Sequence, residues 1–437
     1  MTLSRRRFLG ASAAAVMTAG IMTRGNVFGA NNRIGVCVAG INGQGNSHIR
    51  DVTAEDDAEV LALCDVDQRV LERRAAELEQ ATGRKPKMYR DIRDALADDE
   101  IDAVSIATTN HWHALMSIWA CQAGKDVFVE KPLSHNIWEG RQLVAAAEQT
   151  GRVVQHGTQS RCNATLIRDI NLIHEGFIGN ISHSRGYVFK NGNRHAIGHG
   201  ENAQPPAFLD WTLWQGPAQE APFQIKRGVE PRTGHHVHYD WHWFWEYGNG
   251  EIGNQGVHEM DIALWGHGRS DLPVYVQSTG GRYAWDDDGE TPNTQATAFR
   301  FADGSMLTFE VRNLGSFHEA DARACGNSFF GETGYYVHRK GFFDYENNPI
   351  PVEEPEPPTL NKFAAFFKAM RTRNPEDNMA PPLVGHLSCV LCHAGNVAYR
   401  LGRSLDFDSE AEKFKDDEAN TMLAREYREG FEVPQLA

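Results

Sequence analysis

From Arg33 onward the chain alternates continuous apolar runs with amphipathic stretches. RIGVCVAG (Arg33–Gly40), EVLALCDVD (Glu59–Asp67), DAVSIATT (Asp102–Thr109), DVFVEKP (Asp126–Pro132) and VVQHGTQ (Val153–Gln159) read as buried strands. QRVLERRAAELEQATG after Asp67 reads as a helix, and helical stretches follow the other strands. Apolar strands alternating with helices predict a doubly wound parallel sheet of the Rossmann type.

Near Ile178 the pattern changes. HSRGYVFKNG, VYVQSTGGRYAW, TQATAFRFADG and SMLTFEVRN alternate apolar and polar positions, the mark of half-covered antiparallel strands. Asp303-Gly304 between two such runs predicts a hairpin. The second domain is therefore expected to be α+β, with a large, mostly antiparallel open sheet. IPVEEPEPPT (Ile350–Thr359) reads as a surface connection, followed by two helices returning over about 359–402. The expected division is 1–30, 31–160 and 161–437.

The start of the chain follows neither pattern. Arg5-Arg6-Arg7-Phe8-Leu9 leads into Leu9–Met22, a largely apolar run 14 residues long and rich in Ala and Gly, with small residues near Ala30. That run is short for a membrane span, which needs roughly 20 residues. It resembles a twin-arginine signal peptide read by a translocase, so a periplasmic location is expected. Uncleaved, it would act as an N-terminal membrane anchor. Over 437 residues the net charge is −15, and the first 30 hold four arginines and no acid, leaving −19 on the rest. Such an acidic body argues against nucleic acid as a partner. Seven cysteines, Cys37, Cys64, Cys121, Cys162, Cys325, Cys389 and Cys392, are scattered and odd in number, so no disulfide framework is expected.

The first strand runs into Gly40-Ile41-Asn42-Gly43-Gln44-Gly45. A dinucleotide fingerprint has the form G-x-G-x-x-G between strand and helix, where backbone approaches a pyrophosphate at the helix N-terminus. Gly40 and Gly45 fill the first and third places, and Asn42, which tolerates positive φ, stands in the second. Asp65 ends the next strand, placed to accept from a ribose 2′-hydroxyl and to repel a 2′-phosphate. NAD is therefore expected over NADP. A helix cap shared with Asp67 is the structural alternative for Asp65.

Glu130-Lys131-Pro132 and TTNHWH (Thr108–His113) stand at strand ends, where such sheets hold ligands. With the glycine turn, they resemble the Gfo/Idh/MocA family of glucose–fructose oxidoreductases, inositol dehydrogenases and their relatives. The resemblance implies a Rossmann domain followed by an open-sheet substrate domain. Thr108, Asn110, His113, Glu130 and Lys131 would then lie at the cofactor, with Lys131 also at the reacting hydroxyl. A later family motif carries an aspartate and a histidine. In GNGEIGNQGVHEMD (Gly248–Asp261), His258 matches the histidine and Asp261 the closing aspartate, while Asn254 stands where many members have Asp. His258 is the natural base, because imidazole titrates near neutrality. Asn254 cannot take a proton and would orient His258 or a sugar hydroxyl. Arg161, in GTQSR, resembles a family arginine near the substrate, and His386 or His393 would approach the site.

HHVHYDWHWFWEYG (His235–Gly248) is dense in rings. As a strand it would put Trp241, Trp243 and Trp245 on one face and His242 and Phe244 on the other. Rings such as His242 and Trp243 stack on sugars. Nothing in the segment matches a metalloenzyme spacing, so no metal is expected. Cys389–His393 spells C-x-x-C-H, a haem-attachment pattern, but inside an apolar helical stretch. Haem is attached to unfolded chains outside the cytoplasm, whereas twin-arginine cargo arrives folded, so no haem is expected.

The expected activity is hydride transfer at a ring hydroxyl of a sugar, sugar derivative or cyclitol by an exported NAD(P)-dependent oxidoreductase. Free NAD is scarce outside the cytoplasm, so the cofactor is expected to stay bound. A second reading is an NAD-dependent glycosidase that oxidises a carbon transiently, eliminates the substituent, adds water and reduces again. A third is a sugar-binding protein without turnover. The family resemblance implies a homo-oligomer, a dimer or tetramer, packed through the open sheet.

Overall fold

The computed structural model describes residues 33–190, 194–227, 234–315, 324–354 and 361–437. The arginine-led signal lies outside the described residues.

The first strand, β1 (Ile34–Ala39), is buried at every position, as a strand covered on both faces must be. It is followed by α1 (Gln44–Thr53), β2 (Ala58–Cys64), α2 (Gln68–Thr82), β3 (Lys87–Tyr89), α3 (Ile92–Leu96), β4 (Ala103–Ile106), α4 (Asn110–Gln122), β5 (Asp126–Val129), α5 (Ile137–Thr150) and β6 (Val154–His156). The six strands form one parallel sheet in the order β3-β2-β1-β4-β5-β6. The order reverses between β1 and β4, which opens a crevice at their C-terminal ends.

Local chemistry fixes the elements. In α2 the buried residues Val70, Leu71, Ala75 and Leu78 make one apolar stripe. Asp67 caps its start by accepting from the Arg69 N–H, and Gly83 ends it at a left-handed φ of 73°. β3 has no apolar signature, because its three residues are exposed or half-buried at the sheet edge.

The second domain begins with α6 (Ala164–His174) and then carries the short helix α7 (Trp211–Gln215). It is built on a ten-stranded sheet of β7 (His183–Val188), β10 (Tyr275–Gly281), β11 (Thr294–Arg300), β12 (Met306–Arg312), β13 (Cys325–Phe330), β14 (Gly334–Val337), β15 (Gly341–Asp344), β16 (Pro349–Ile350), β17 (Leu405–Asp408) and β18 (Lys413–Phe414). Its neighbours pair antiparallel except β7 and β12, which run parallel. The remaining pair, β8 (Gly200–Asn202) and β9 (Gln224–Lys226), forms a separate ribbon. In β11 and β12 alternate residues are buried, among them Phe299, Leu307, Phe309 and Val311. The Asp303-Gly304 hairpin forms, with Gly304 at φ 88°. The proline-rich connection lies partly outside the described residues.

The returning helices are α10 (Lys362–Thr372) and α11 (Pro382–Leu401). Cys389 and Cys392 lie on the buried side of α11. The Leu133 N–H donates to Cys389 Sγ at 3.2 Å, and Cys392 Sγ donates to the Ile252 carbonyl at 3.2 Å. Haem attachment there would have to open the packing between the domains. The last residues tie the two domains together: Arg425 pairs with Glu246, Tyr427 donates to Glu139 at 3.0 Å, and Phe431 packs edge-on against Trp112. Among the described residues, no helix is long and apolar enough to cross a membrane.

Candidate active site

A cleft of about 580 Å³ lies between the strand ends of the parallel sheet and the second domain. Gly40, Asn42, Gly43, Asp65, Thr108, Asn110, His113, Glu130, Lys131, His242, Asn254 and His258 line it.

The glycine turn forms for a reason other than the one the sequence offered. Gly40 alone takes the left-handed conformation, at φ 77°, and Asn42 does not. A Cβ on Gly40 would sit 2.6 Å from the Ala107 carbonyl oxygen, and one on Gly45 would sit 2.2 Å from the Gly40 carbonyl oxygen. Gly45 therefore serves close packing of α1 on the turn and faces away from the cleft. Gly43 has open space before it and caps α1 without a side-chain hydrogen bond, which leaves that helix N-terminus to an anion. Ile41 is fully buried, and its N–H donates to Asp65 Oδ2 at 2.9 Å. It holds the turn to β2 instead of facing a ligand.

Asp65 also accepts from the Asp67 N–H at 3.0 Å. Burial raises its carboxyl to about 6 against those hydrogen bonds. The helix cap is Asp67 alone; with the Ile41, Asp67 and Val66 N–H groups donating, the Asp65 carboxylate keeps one lone pair for a further donor. An open helix N-terminus, a glycine whose Cβ space is empty and an acid at the end of β2 together fit a dinucleotide.

At the end of β5, Glu130 accepts from His48 Nε2 at 3.0 Å, and His48 Nδ1 meets Ser105 Oγ at 2.8 Å. Lys362 Nζ stands 3.7 Å from the same carboxylate. Against the upward push of burial, His48 and the lysines hold Glu130 well below the usual carboxylate range. His113 is locked between the Pro132 carbonyl at 2.6 Å and the Thr108 carbonyl at 3.2 Å. Asn110 donates to Asn249 Oδ1 at 3.2 Å, joining the domains.

Lys131 reaches across the cleft. Its Nζ donates to the Asn254 carbonyl at 3.2 Å and to Asn254 Oδ1 at 3.3 Å. Burial lowers its pKa, against the pull of Glu130. Asn254 ends α8 (Gly250–Asn254), and His258 lies on the first turn of α9 (Gly256–Gly266). The His258 ring has no hydrogen bond within the described protein, and burial followed by the Lys131 charge pushes it down to about 3. It is neutral at physiological pH and presents a lone pair.

Three expectations fall elsewhere. Arg161 and Asp261 do not line the cleft; they pair with each other, Arg161 Nε donating to the two Asp261 carboxylate oxygens at 3.1 and 2.9 Å, and Ser388 donates to Asp261 at 2.9 Å. Asp261 is fully buried and Arg161 largely so, and the pair holds α9 against α11 and the turn after β6. Removing one partner of such a pair costs roughly 3–5 kcal/mol. Residues 240–243 form a 3-10 turn in place of a strand, so the alternation of faces fails. Trp243 packs in an aromatic cluster with Trp241, Trp214 and Tyr247 and does not reach the cleft. His386 bonds Glu412 at 2.8 Å, and His393 meets Ser134 at 3.4 Å, both behind the site.

The cleft also has residues that motif reading did not reach. His238, at a left-handed φ of 73°, meets Asn42 Nδ2 at 3.0 Å through Nδ1. Tyr239 hydrogen-bonds the Asn254 side chain. Leu209, Leu213, Trp214 and Val237 add an apolar cover from the second domain. The ring density of His235–Gly248 pointed to this segment, but only the turn decides which rings face the cleft.

Comparisons with known proteins agree with this architecture. The profile "Oxidoreductase family, NAD-binding Rossmann fold" matches residues 34–158, and "Oxidoreductase family, C-terminal alpha/beta domain" matches residues 168–433. A "Glycosyl hydrolase family 109 protein" of Shewanella sp. (strain W3-18-1) is 30% identical over 148 residues, 33% of this chain and 32% of that one. Another, from Shewanella pealeana, is 30% identical over 210 residues, 42% of this chain and 45% of that one. The chain thus spans less than half the length of these curated relatives. Among solved structures, the WlbA dehydrogenase from Bordetella pertussis in complex with NADH and UDP-GlcNAcA has a TM-score of 0.62 at 21% identity, covering 86% of this chain and 99% of that one. A putative myo-inositol dehydrogenase from Sinorhizobium meliloti has a TM-score of 0.57 at 17% identity, covering 85% and 99%. At such identities these two share the fold. The matches to both domains make the chain a member of the Gfo/Idh/MocA oxidoreductase family, with an NAD-binding Rossmann domain.

Proposed function

We propose that this protein oxidises a ring hydroxyl of a sugar, sugar derivative or cyclitol and keeps its NAD through the cycle. The observation that carries the reading is the convergence of Lys131, Asn254 and His258 beside the glycine turn. NAD, held by the glycine turn, the α1 N-terminus and Asp65, supplies the hydride acceptor. The protein's part is to orient the sugar and move the hydroxyl proton. The Lys131 ammonium, fixed by Asn254, donates to the reacting oxygen and favours its alkoxide form. Burial keeps His258 neutral, so it accepts the proton. Asn254 takes no proton and serves as the anchor for Lys131.

The test starts with protein purified without added cofactor. About one NAD per chain is expected, and a panel of sugars and cyclitols should include one that raises absorbance at 340 nm. Lys131→Ala and His258→Ala should each lower the rate by about 100-fold or more while NAD stays bound. Full turnover by both variants would end this reading. Sugar binding with no spectral change would favour a non-catalytic role.

The family 109 glycosyl hydrolase relatives favour a second reading, a redox-neutral glycosidase. Release of aglycone with no net reduced cofactor distinguishes it from plain dehydrogenation. Export by the twin-arginine translocase is supported by Arg5-Arg6-Arg7-Phe8-Leu9. Arg5→Lys and Arg6→Lys together should leave the protein in the cytoplasmic fraction. The open face of the ten-stranded sheet would carry a dimer or tetramer contact, which light scattering in solution reports.

A further inference from the structure

His258 and Lys131 account for one proton, the one on the oxidised hydroxyl. A second imidazole, His242, lines the same cleft. Its Nδ1 lies 2.6 Å from the Tyr239 carbonyl oxygen. A carbonyl only accepts, so the proton of the neutral ring sits on Nδ1 and the lone pair on Nε2. That Nε2 has no hydrogen-bond partner among the described residues, yet it is not sealed from the cleft. The ring is also fixed in orientation, stacked on Trp241 with centroids 3.6 Å apart and planes 20° apart. Burial first, and then Lys131 and Arg194, push it down to about 3, which keeps it unprotonated. Simple dehydrogenation does not need a second oriented proton acceptor.

Elimination does. A substituent at C1 leaves by β-elimination only if the carbonyl is at C3 and a proton is taken from C2. We infer that His242 Nε2 is the base that removes this C2 proton, making the site a sugar eliminase in which His258 and His242 serve different protons. The proton moves to Nε2, the C2–H pair becomes the C1–C2 double bond, and the C1–O bond breaks with its electrons on the departing alkoxide. The alkoxide takes a proton from solvent or from Lys131, whose charge also steadies the enolate oxygen. The step is redox-neutral. It rests on the oxidation proposed above, and its test separates the two.

The probe is the p-nitrophenyl glycoside, from a gluco, galacto and N-acetylgalactosamino panel, that reduces the bound NAD. In D₂O the wild type should place deuterium at C2 of the recovered sugar and release p-nitrophenolate. His242→Asn keeps a donor for the Tyr239 carbonyl and loses the base. It should keep its bound NAD and, for each oxidation event read at 340 nm, lose C2 exchange and p-nitrophenolate release by about 100-fold or more. Exchange retained in His242→Asn overturns the assignment, and so does loss of the 340 nm response with exchange intact per oxidation event. The wild type gives an arm that needs no variant to fold: a C2-deuterated glycoside should release p-nitrophenolate more slowly than the protiated one. No isotope effect together with no exchange overturns the inference. If no glycoside reduces the bound NAD, the oxidation itself is wrong and the assignment falls with it.

Discussion

The cofactor wall of the cleft is made of strand ends and backbone, whereas the substrate wall is made of side chains on a short 3-10 turn and two helices. On the first wall, Gly40, Gly43 and Gly45 act through the Cβ they lack, within six residues of each other. On the second, His242, Asn254 and His258 come from three elements, and their setting depends on residues far away, Lys131 above all. A wall of backbone tolerates few substitutions but needs no partner. A wall of side chains is adaptable, and its chemistry is tuned by burial and neighbouring charge.

The sharpest way to break this contrast is at Gly45. Gly45→Val would put a side chain into the Gly40 carbonyl, with backbone on both sides. Loss of bound NAD by more than about 100-fold is expected, with a lower melting temperature, since neither backbone has room to relax. Cofactor content after gel filtration checks it.

Acid should strike the ring-rich wall next. His111, His156, His242 and His258 are held near 3 when folded, first by burial. Unfolded, each takes a proton near 6.5, so the unfolded state binds more protons as pH falls through that value. Stability is full above about 6.5 and is lost progressively down toward 3. Burial has the opposite sign for Asp65, raised to about 6, and Glu259, raised to about 7, which bind protons earlier when folded. The histidines outnumber them, so the melting temperature should drop by several degrees from pH 7 to pH 5. A flat profile would mean that these rings are solvated.

A smaller effect is expected where the two walls touch. His238→Ala removes the contact to Asn42 and should speed NAD dissociation by about fivefold, the worth of one hydrogen bond. Cofactor release on dilution measures it, and an unchanged rate would show that the apolar cover alone retains the cofactor. The mildest change is Asn254→Asp. A carboxylate beside Lys131 would raise the lysine pKa and move the alkaline limb of the rate profile upward, with a few-fold change in rate.

The same contrast explains what was legible in the sequence. The parallel sheet, the glycine turn, Asp65, Glu130 and Lys131 follow from local spacing and strand ends, and the structure has them on one crevice. His258 and Asn254 came from the family resemblance, because nothing local sets them apart. Arg161 and Asp261 each had the chemistry of a substrate ligand, but burial drove them into a pair with each other. Trp243 was misplaced because alternation assumes a strand, and a 3-10 turn sends its ring into the aromatic core. His238 and Tyr239 had no signature, since a left-handed histidine at a domain contact is a tertiary fact.

Retention of a sugar-oxidising cofactor is tested most directly by one measurement. Protein purified without added cofactor is mixed with the responsive sugar and passed at once through a gel-filtration column, with absorbance at 340 nm read in both fractions. The reduced nicotinamide should travel with the protein, at up to one per chain, and none should appear in the small-molecule fraction. Reduced nicotinamide free in solution, or no absorbance at 340 nm with any sugar or cyclitol, would contradict a retained, sugar-oxidising cofactor.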